Sequence, residues 1–125
     1  MARILLAEDD ESMRIFLANA LRRAGHHVRD CADGLDALDA VKTEPFHLLL
    51  ADIVMPGMDG IELARQANEV HPALKVLFIT GFAAVALNAR RTGRTAEAKV
   101  LSKPFHLRDL VAEIDRLFEI GSAAG

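Results

Sequence analysis

The sequence predicts an α/β fold in which a doubly wound, five-stranded parallel sheet is flanked by about five helices. Two observations predict this fold class. Three short runs, Ile4–Ala7, Leu48–Ala51 and Val76–Ile79, are apolar throughout, as strands of a sheet covered on both faces must be. Stretches with apolar residues at helical spacing alternate with these runs along the chain.

The remaining strands and the first two helices have weaker signals. Val28 and Cys31 indicate a second strand, and Val100 with Leu101 a short fifth strand. Apolar residues recur at helical spacing from residue 13 to residue 21 and again from residue 35 to residue 41. Gly25 and Pro45 follow these two stretches and are expected to end the helices.

The later helices are marked by their ends. Asp59, with Glu62 three residues later, resembles a capping box that opens a third helix. This helix should end by His71, because Pro72 disfavours helical geometry at the residue before it. A short or mobile fourth helix is expected between residues 81 and 98, and a last helix over residues 107–117.

Length and composition favour one ordinary globular domain. The 125 residues suffice for a single domain, which we place at residues 1–120 with a flexible tail at 121–125. The net charge of -3 argues against nucleic acid as a partner. No apolar run is long enough to span a membrane, and the single cysteine, Cys31, fits a reducing compartment, so we expect a cytoplasmic protein.

Polar residues follow the predicted strands at the point where each strand ends. Glu8 and Asp9 follow the first strand, Asp52 the third, Thr80 the fourth and Lys103 the fifth. Because the carboxyl ends of parallel strands share one edge of the sheet, these side chains should lie close together. Three carboxylates there call for a cation, and an all-oxygen ligand set suits Mg²⁺. A lysine and a hydroxyl beside them would complete a site for a phosphoryl group.

Simpler interpretations of the acidic residues stay open. The run Glu8-Asp9-Asp10 could cap the first helix, and Asp10 in particular has the position of a capping residue. Asp52 could be a turn residue ahead of Pro56-Gly57.

Four segments together resemble the receiver domains of bacterial two-component response regulators, over nearly the whole chain. They are Glu8-Asp9-Asp10, Leu50-Ala51-Asp52-Ile53-Val54-Met55-Pro56-Gly57-Met58-Asp59-Gly60, Phe78-Ile79-Thr80-Gly81 and Ser102-Lys103-Pro104-Phe105. The resemblance implies that Asp52 accepts a phosphoryl group from a histidine kinase or histidine phosphotransferase. It further implies that Glu8, Asp9, Asp52 and the Val54 carbonyl hold Mg²⁺, while Lys103 and Thr80 contact the phosphoryl group.

The segment from Ala98 to Leu107 is similar to the CpdR family of alphaproteobacterial single-domain receivers. That similarity implies control of the ClpXP protease through contact with ClpX, with a phosphorelay intermediate acting on another partner as the alternative. No enzymatic activity is implied beyond self-catalysed phosphorylation and dephosphorylation of Asp52. An aspartate-nucleophile phosphatase would usually carry a second aspartate where Val54 stands, and a non-phosphorylatable interaction module would not need the acidic residues, Thr80 and Lys103.

Overall fold

A computed structural model of the chain describes residues 2–80, 99–102 and 107–124. Five parallel strands form one sheet in the order β2-β1-β3-β4-β5. The strands are β1 Arg3–Ala7, β2 His27–Cys31, β3 Leu48–Asp52, β4 Lys75–Thr80 and β5 Lys99–Ser102. This order reverses direction between β1 and β3, which is the hallmark of a doubly wound sheet, so the predicted fold class is confirmed.

Helices connect the strands, as the alternating patterns predicted. In the described ranges they are α1 Glu11–Arg23, α2 Gly34–Thr43, α3 Gly60–Val70 and α4 Leu107–Ala124. The short helix predicted between residues 81 and 98 lies outside the described residues. The last helix continues to Ala124, so residues 121–124 are helical. The flexibility expected for that segment stays a prediction.

Both faces of the sheet are covered, which explains why the runs Ile4–Ala7, Leu48–Ala51 and Val76–Ile79 within β1, β3 and β4 are apolar in every position. On one face, Leu5, Leu49 and Phe78 are fully buried in a cluster with α2 and α3 residues such as Val41 and Leu63. On the other, alternate strand residues pack against α1 and α4; this second cluster includes Ile4, Leu6, Leu50, Leu77, Leu17, Leu21, Leu110 and Ile114. Successive strand residues point to opposite faces, so a sheet with two covers needs apolar residues throughout.

Three of the four described helices begin after an aspartate cap. The Asp10, Asp33 and Asp59 carboxylates accept hydrogen bonds from the backbone N–H groups of Met13, Asp36 and Glu62, at 2.9, 2.9 and 2.8 Å. Each bond satisfies a donor that the first helical turn leaves without a partner. The predicted capping roles of Asp10 and Asp59 are therefore confirmed.

Two apolar residues of the helical patterns do not face the core. Phe16 in α1 is 50% exposed and Leu35 in α2 is 63% exposed. Each lies at the border of its helix's apolar stripe, where a shift of one position turns a side chain toward solvent.

Cys31 is buried, and this burial raises the pKa of its thiol. None of the helices in the described ranges combines the length and apolarity that crossing a bilayer requires.

Candidate functional site

The segment after β1 presents its acidic residues in three different environments. Glu8 is wholly buried, and its backbone N–H continues the pairing with β2 by donating to the Cys31 carbonyl at 3.1 Å. Its carboxylate accepts a hydrogen bond from the Asp10 N–H at 3.3 Å. Asp9 is exposed, and Asp10 is the cap of α1. Glu8 and Asp9 thus lie at the sheet edge, whereas Asp10 belongs to the helix.

Asp52 is the last residue of β3, the central strand. It is only 6% exposed, and one carboxylate oxygen, Oδ1, accepts a hydrogen bond from the Val54 N–H at 3.0 Å. The next residue, Ile53, donates its N–H to the Ile79 carbonyl of β4 at 2.9 Å. The strand therefore holds the Asp52 backbone, and the Val54 amide orients its carboxylate.

The acidic residues of β1 and β3 converge as the strand ends predicted. Carboxylate oxygens of Glu8, Asp9 and Asp52 all lie within 4.8 Å of one another. The convergence follows from the register, because Ala7 is paired with Ala51 in adjacent parallel strands. This point, between β1 and β3, is where the strand order reverses and where sheets of this type bind ligands.

Thr80 ends β4 at the same edge and is wholly buried. Its place follows from the register: Asp52 is paired with Ile79, so Thr80 lies one residue further along the neighbouring strand. Thr80 is in turn paired with Ser102, the last residue of β5. Lys103 directly follows Ser102 but lies outside the described residues, so its predicted place beside Asp52 stays a prediction.

Val54 contributes to the site in a way that the sequence did not reveal. Its predicted role was to offer a carbonyl oxygen to a metal, which stays a prediction. Its amide, by contrast, contacts the Asp52 carboxylate directly. No residue pattern distinguishes this contact, since any non-proline residue has the same N–H group.

Gly60 is a second residue that the sequence did not single out. It begins α3, and its N–H donates to the Ile53 carbonyl at 2.9 Å. Gly60 also lies so close to the Asp52 main chain that no side chain would fit between them. The signal was present in the pair Asp59-Gly60, where a capping residue is followed by a glycine at a helical position that rarely needs one.

Comparison with known proteins gives consistent results. Residues 4–115 match the family model described as a response regulator receiver domain. The response regulator receiver protein CpdR of Brucella abortus is 62% identical over 117 residues, which cover 94% of this chain and 97% of that protein. The sensor kinase CckA of the same organism is 33% identical over 120 residues, covering 94% of this chain but only 13% of the kinase.

The fold has close counterparts among solved structures. A CheY-like response regulator receiver domain protein from Methanospirillum hungatei superimposes with a TM-score of 0.90 at 29% identity, covering 100% of this chain and 99% of that one. The superposition includes the five-stranded sheet whose carboxyl edge holds the acidic residues.

Proposed function

This chain belongs to the response regulator receiver domain family, and on this premise we propose that it is a phosphoryl-controlled switch with Asp52 as the acceptor. One observation carries the proposal: oxygens of Glu8, Asp9 and Asp52 lie within 4.8 Å of one another at the carboxyl edge of the sheet. Receiver domains are signalling modules of two-component systems. The proposed activity is accordingly a covalent switch and not turnover of a separate substrate.

The acidic residues fit a magnesium ion. Mg²⁺ binds oxygen ligands at about 2.1 Å, so two protein oxygens on one ion are at most about 4.2 Å apart. A group of carboxylate oxygens within 4.8 Å therefore needs only small side-chain movements, or a bridging water, to meet this geometry. Glu8, Asp9 and Asp52 would hold the ion with the Val54 carbonyl. When bound, the ion would neutralise charge on the carboxylates and on the incoming phosphoryl group.

Asp52 has the properties that an acceptor requires. A carboxylate oxygen of Asp52 attacks the phosphorus of a phosphohistidine; an O–P bond forms, the P–N bond breaks, and its electron pair stays on the imidazole nitrogen. Phosphoryl transfer needs an acceptor held in line far more than it needs covalent chemistry from the protein. The Val54 N–H at 3.0 Å from Asp52 Oδ1 supplies that orientation.

Thr80 and Lys103 are proposed to contact the phosphoryl group after transfer. The Thr80 hydroxyl would donate a hydrogen bond to a phosphoryl oxygen, and the Lys103 ammonium would supply positive charge. Support comes from the pairing of Thr80 with Ser102, because Lys103 then follows Thr80's neighbour on β5. The modified aspartate gains roughly one further negative charge, enough to bias contacts at this edge.

A histidine kinase or histidine phosphotransferase is the proposed source of the phosphoryl group. Two neighbouring apolar residues of α1, Ile15 and Phe16, are 49% and 50% exposed. Their helix begins directly after the acidic segment, so a partner that presents a phosphohistidine to Asp52 would meet them. Exposed apolar residues beside a polar site are typical of a protein contact surface.

We further propose that the output is control of ClpXP-dependent proteolysis through ClpX, with transfer to another phosphorelay partner as the alternative. The similarity to CpdR, at 62% identity over nearly the whole length of both chains, supports this choice. A pull-down of ClpX with phosphorylated and unphosphorylated protein tests it. Equal capture by both forms would count against control by phosphorylation.

The central experiment is phosphorylation by acetyl phosphate with Mg²⁺, followed by intact-mass measurement. We expect one added phosphoryl group in the wild-type chain and none in Asp52→Asn, which keeps the size of the side chain. Asp39→Asn is the matched control, because Asp39 lies on the exposed face of α2, and it should be labelled normally. Labelling of Asp52→Asn at the wild-type level would end the proposal, as would an unlabelled wild type.

A further inference from the structure

The start of α3 is pressed against the main chain of Asp52. A Cβ atom placed on Gly60 would lie 2.2 Å from the Asp52 carbonyl oxygen and 2.9 Å from its carbonyl carbon. In real proteins, Cβ atoms essentially never come closer than 3.0 Å to non-bonded heavy atoms outside their own residue and its two chain neighbours. Among the described residues, the glycines with positive φ are Gly25 and Gly57. Gly60 is therefore required for the space it leaves and not for an unusual backbone conformation.

Both sides of this contact are held in place. Ala51 and Asp52 are buried in the central strand, where Asp52 is paired with Ile79 of β4. On the other side, the Gly60 N–H donates to the Ile53 carbonyl, and Asp59 caps the same helix. A methyl group at residue 60 would have to open the contact by about 0.8 Å, the difference between 3.0 and 2.2 Å. Either the end of β3 or the start of α3 would move.

Either movement reaches the acceptor. The segment between Asp52 and Gly60 carries Val54, whose N–H holds Asp52 Oδ1 at 3.0 Å. We propose that Gly60 is a positioning residue: its lack of a side chain sets the place of the Asp52 carboxylate and of the Val54 backbone relative to Glu8 and Asp9. This inference rests on the proposed function, since it assigns Gly60 to the phosphoryl-acceptor site.

Gly60→Ala tests the inference, and Gly34→Ala is its matched control. Gly34 also begins a helix against main chain, but its added Cβ would lie 2.8 Å from the Met58 carbonyl oxygen, so a shift of about 0.2 Å would relieve the contact, against about 0.8 Å at Gly60. The rate of labelling by acetyl phosphate with Mg²⁺ should fall at least about tenfold in Gly60→Ala, because a displacement of about 1 Å at a reacting group costs on the order of 100-fold. Gly34→Ala should stay within about twofold of wild type.

A second measurement separates positioning from general damage. In ¹H–¹⁵N spectra recorded without metal or phosphodonor, Gly60→Ala should shift the amide resonances of Ile53 and Val54 and leave those of Leu5 and Leu6 unchanged. Mg²⁺ affinity, measured by calorimetric titration, should fall in Gly60→Ala and not in Gly34→Ala. A purely structural role for Gly60 would lower thermal stability without these local effects.

Each possible result of these experiments bears on either the positioning role of Gly60 or the proposed function. If the wild type is labelled and Gly60→Ala is labelled equally fast, the inference is wrong and the proposed function stands. If the wild type is not labelled, the proposed function fails and the inference fails with it. If Gly60→Ala does not fold while Gly34→Ala does, Gly60 serves the fold and the positioning role is rejected.

Discussion

At the carboxyl end of the sheet, carboxylates lie next to one another. At the amino end and the β2 edge, by contrast, each carboxylate lies next to arginine side chains. At the carboxyl end, oxygens of Glu8, Asp9 and Asp52 lie within 4.8 Å of one another. At the other end, the Glu44 carboxylate contacts both Arg3, at 3.3 Å, and Arg29. At the β2 edge, Asp30 is shared by two guanidinium groups, those of Arg14 at 3.5 Å and Arg22 at 3.2 Å.

The ion pairs in a charged cleft indicate whether the cleft would bind an external ion. An open cleft of about 570 Å³ runs along β2 from the amino end of the sheet, and its lining includes Arg3, Arg22, His26, Arg29, Asp30, Glu44 and Phe46. Each of its two carboxylates lies between two arginines, so most of its charge is compensated within the protein. Carboxylates that converge on one another repel, and a cation between them would lower that repulsion. The arrangement of charges, more than the size of a cleft, therefore supports the proposed site.

The largest effect should come from breaking the acidic cluster at its exposed member. Asp9→Asn removes the charge of a proposed Mg²⁺ ligand, and we expect Mg²⁺ affinity to fall by more than about tenfold, the least that even loss of an outer-shell partner causes. Calorimetric titration measures the change. Asp39→Asn again serves as the control of equal charge change, and an equal loss in both variants would point to net charge and away from a site.

A smaller effect, on stability and not on Mg²⁺ affinity, should distinguish Asp10 from Glu8 and Asp9. Asp10→Ala removes the cap of α1 and should cost about 1 kcal/mol of unfolding free energy. For a domain of this size, the thermal midpoint should fall by about 3–7 °C, with Mg²⁺ affinity nearly unchanged. Asp10→Ser keeps a capping oxygen and should recover most of the loss. A large loss of Mg²⁺ affinity in Asp10→Ser would instead make Asp10 part of the metal site.

At the amino end, the corresponding substitution should affect stability only. Glu44→Gln removes the carboxylate that Arg3 and Arg29 share, and exposed pairs of this kind are worth at most about 1 kcal/mol. Chemical denaturation should show a decrease within that range, while the rate of labelling by acetyl phosphate should not change. Slower labelling would contradict the assignment of this end to stability alone.

The smallest effect is a dependence on pH at the same end. Burial lowers the pKa of His26, against the opposing influence of Asp115, and its Nδ1 accepts a hydrogen bond from the Ala2 N–H at 3.1 Å. Since the unfolded chain then binds the proton more tightly, stability is fully present above about pH 6.5 and decreases as the pH falls below it. His26→Gln should flatten this part of the stability profile, as measured by denaturant titration at several pH values. An unchanged profile would exclude His26 as the cause.

Much of the fold could be predicted from the sequence because the signals are local. A run such as Leu48–Ala51 has no polar position, and that property alone requires cover on both faces. Helix starts at Asp10 and Asp59 depend on a hydrogen bond spanning three residues. Helical spacing predicted burial less well at the borders of the apolar stripes, where Phe16 and Leu35 are exposed.

Local patterns were enough to predict the strands, the caps at Asp10 and Asp59, and the polar residues at the ends of β1, β3 and β4, because each depends on neighbours a few positions away. The tertiary structure brings together the carboxylates of Glu8 and Asp52, 44 positions apart in the chain, through the parallel pairing of Ala7 with Ala51. It also decided the contact of Gly60 with Asp52, which depends on how closely a helix approaches a strand end. Such distances arise from packing between elements, which no local pattern encodes.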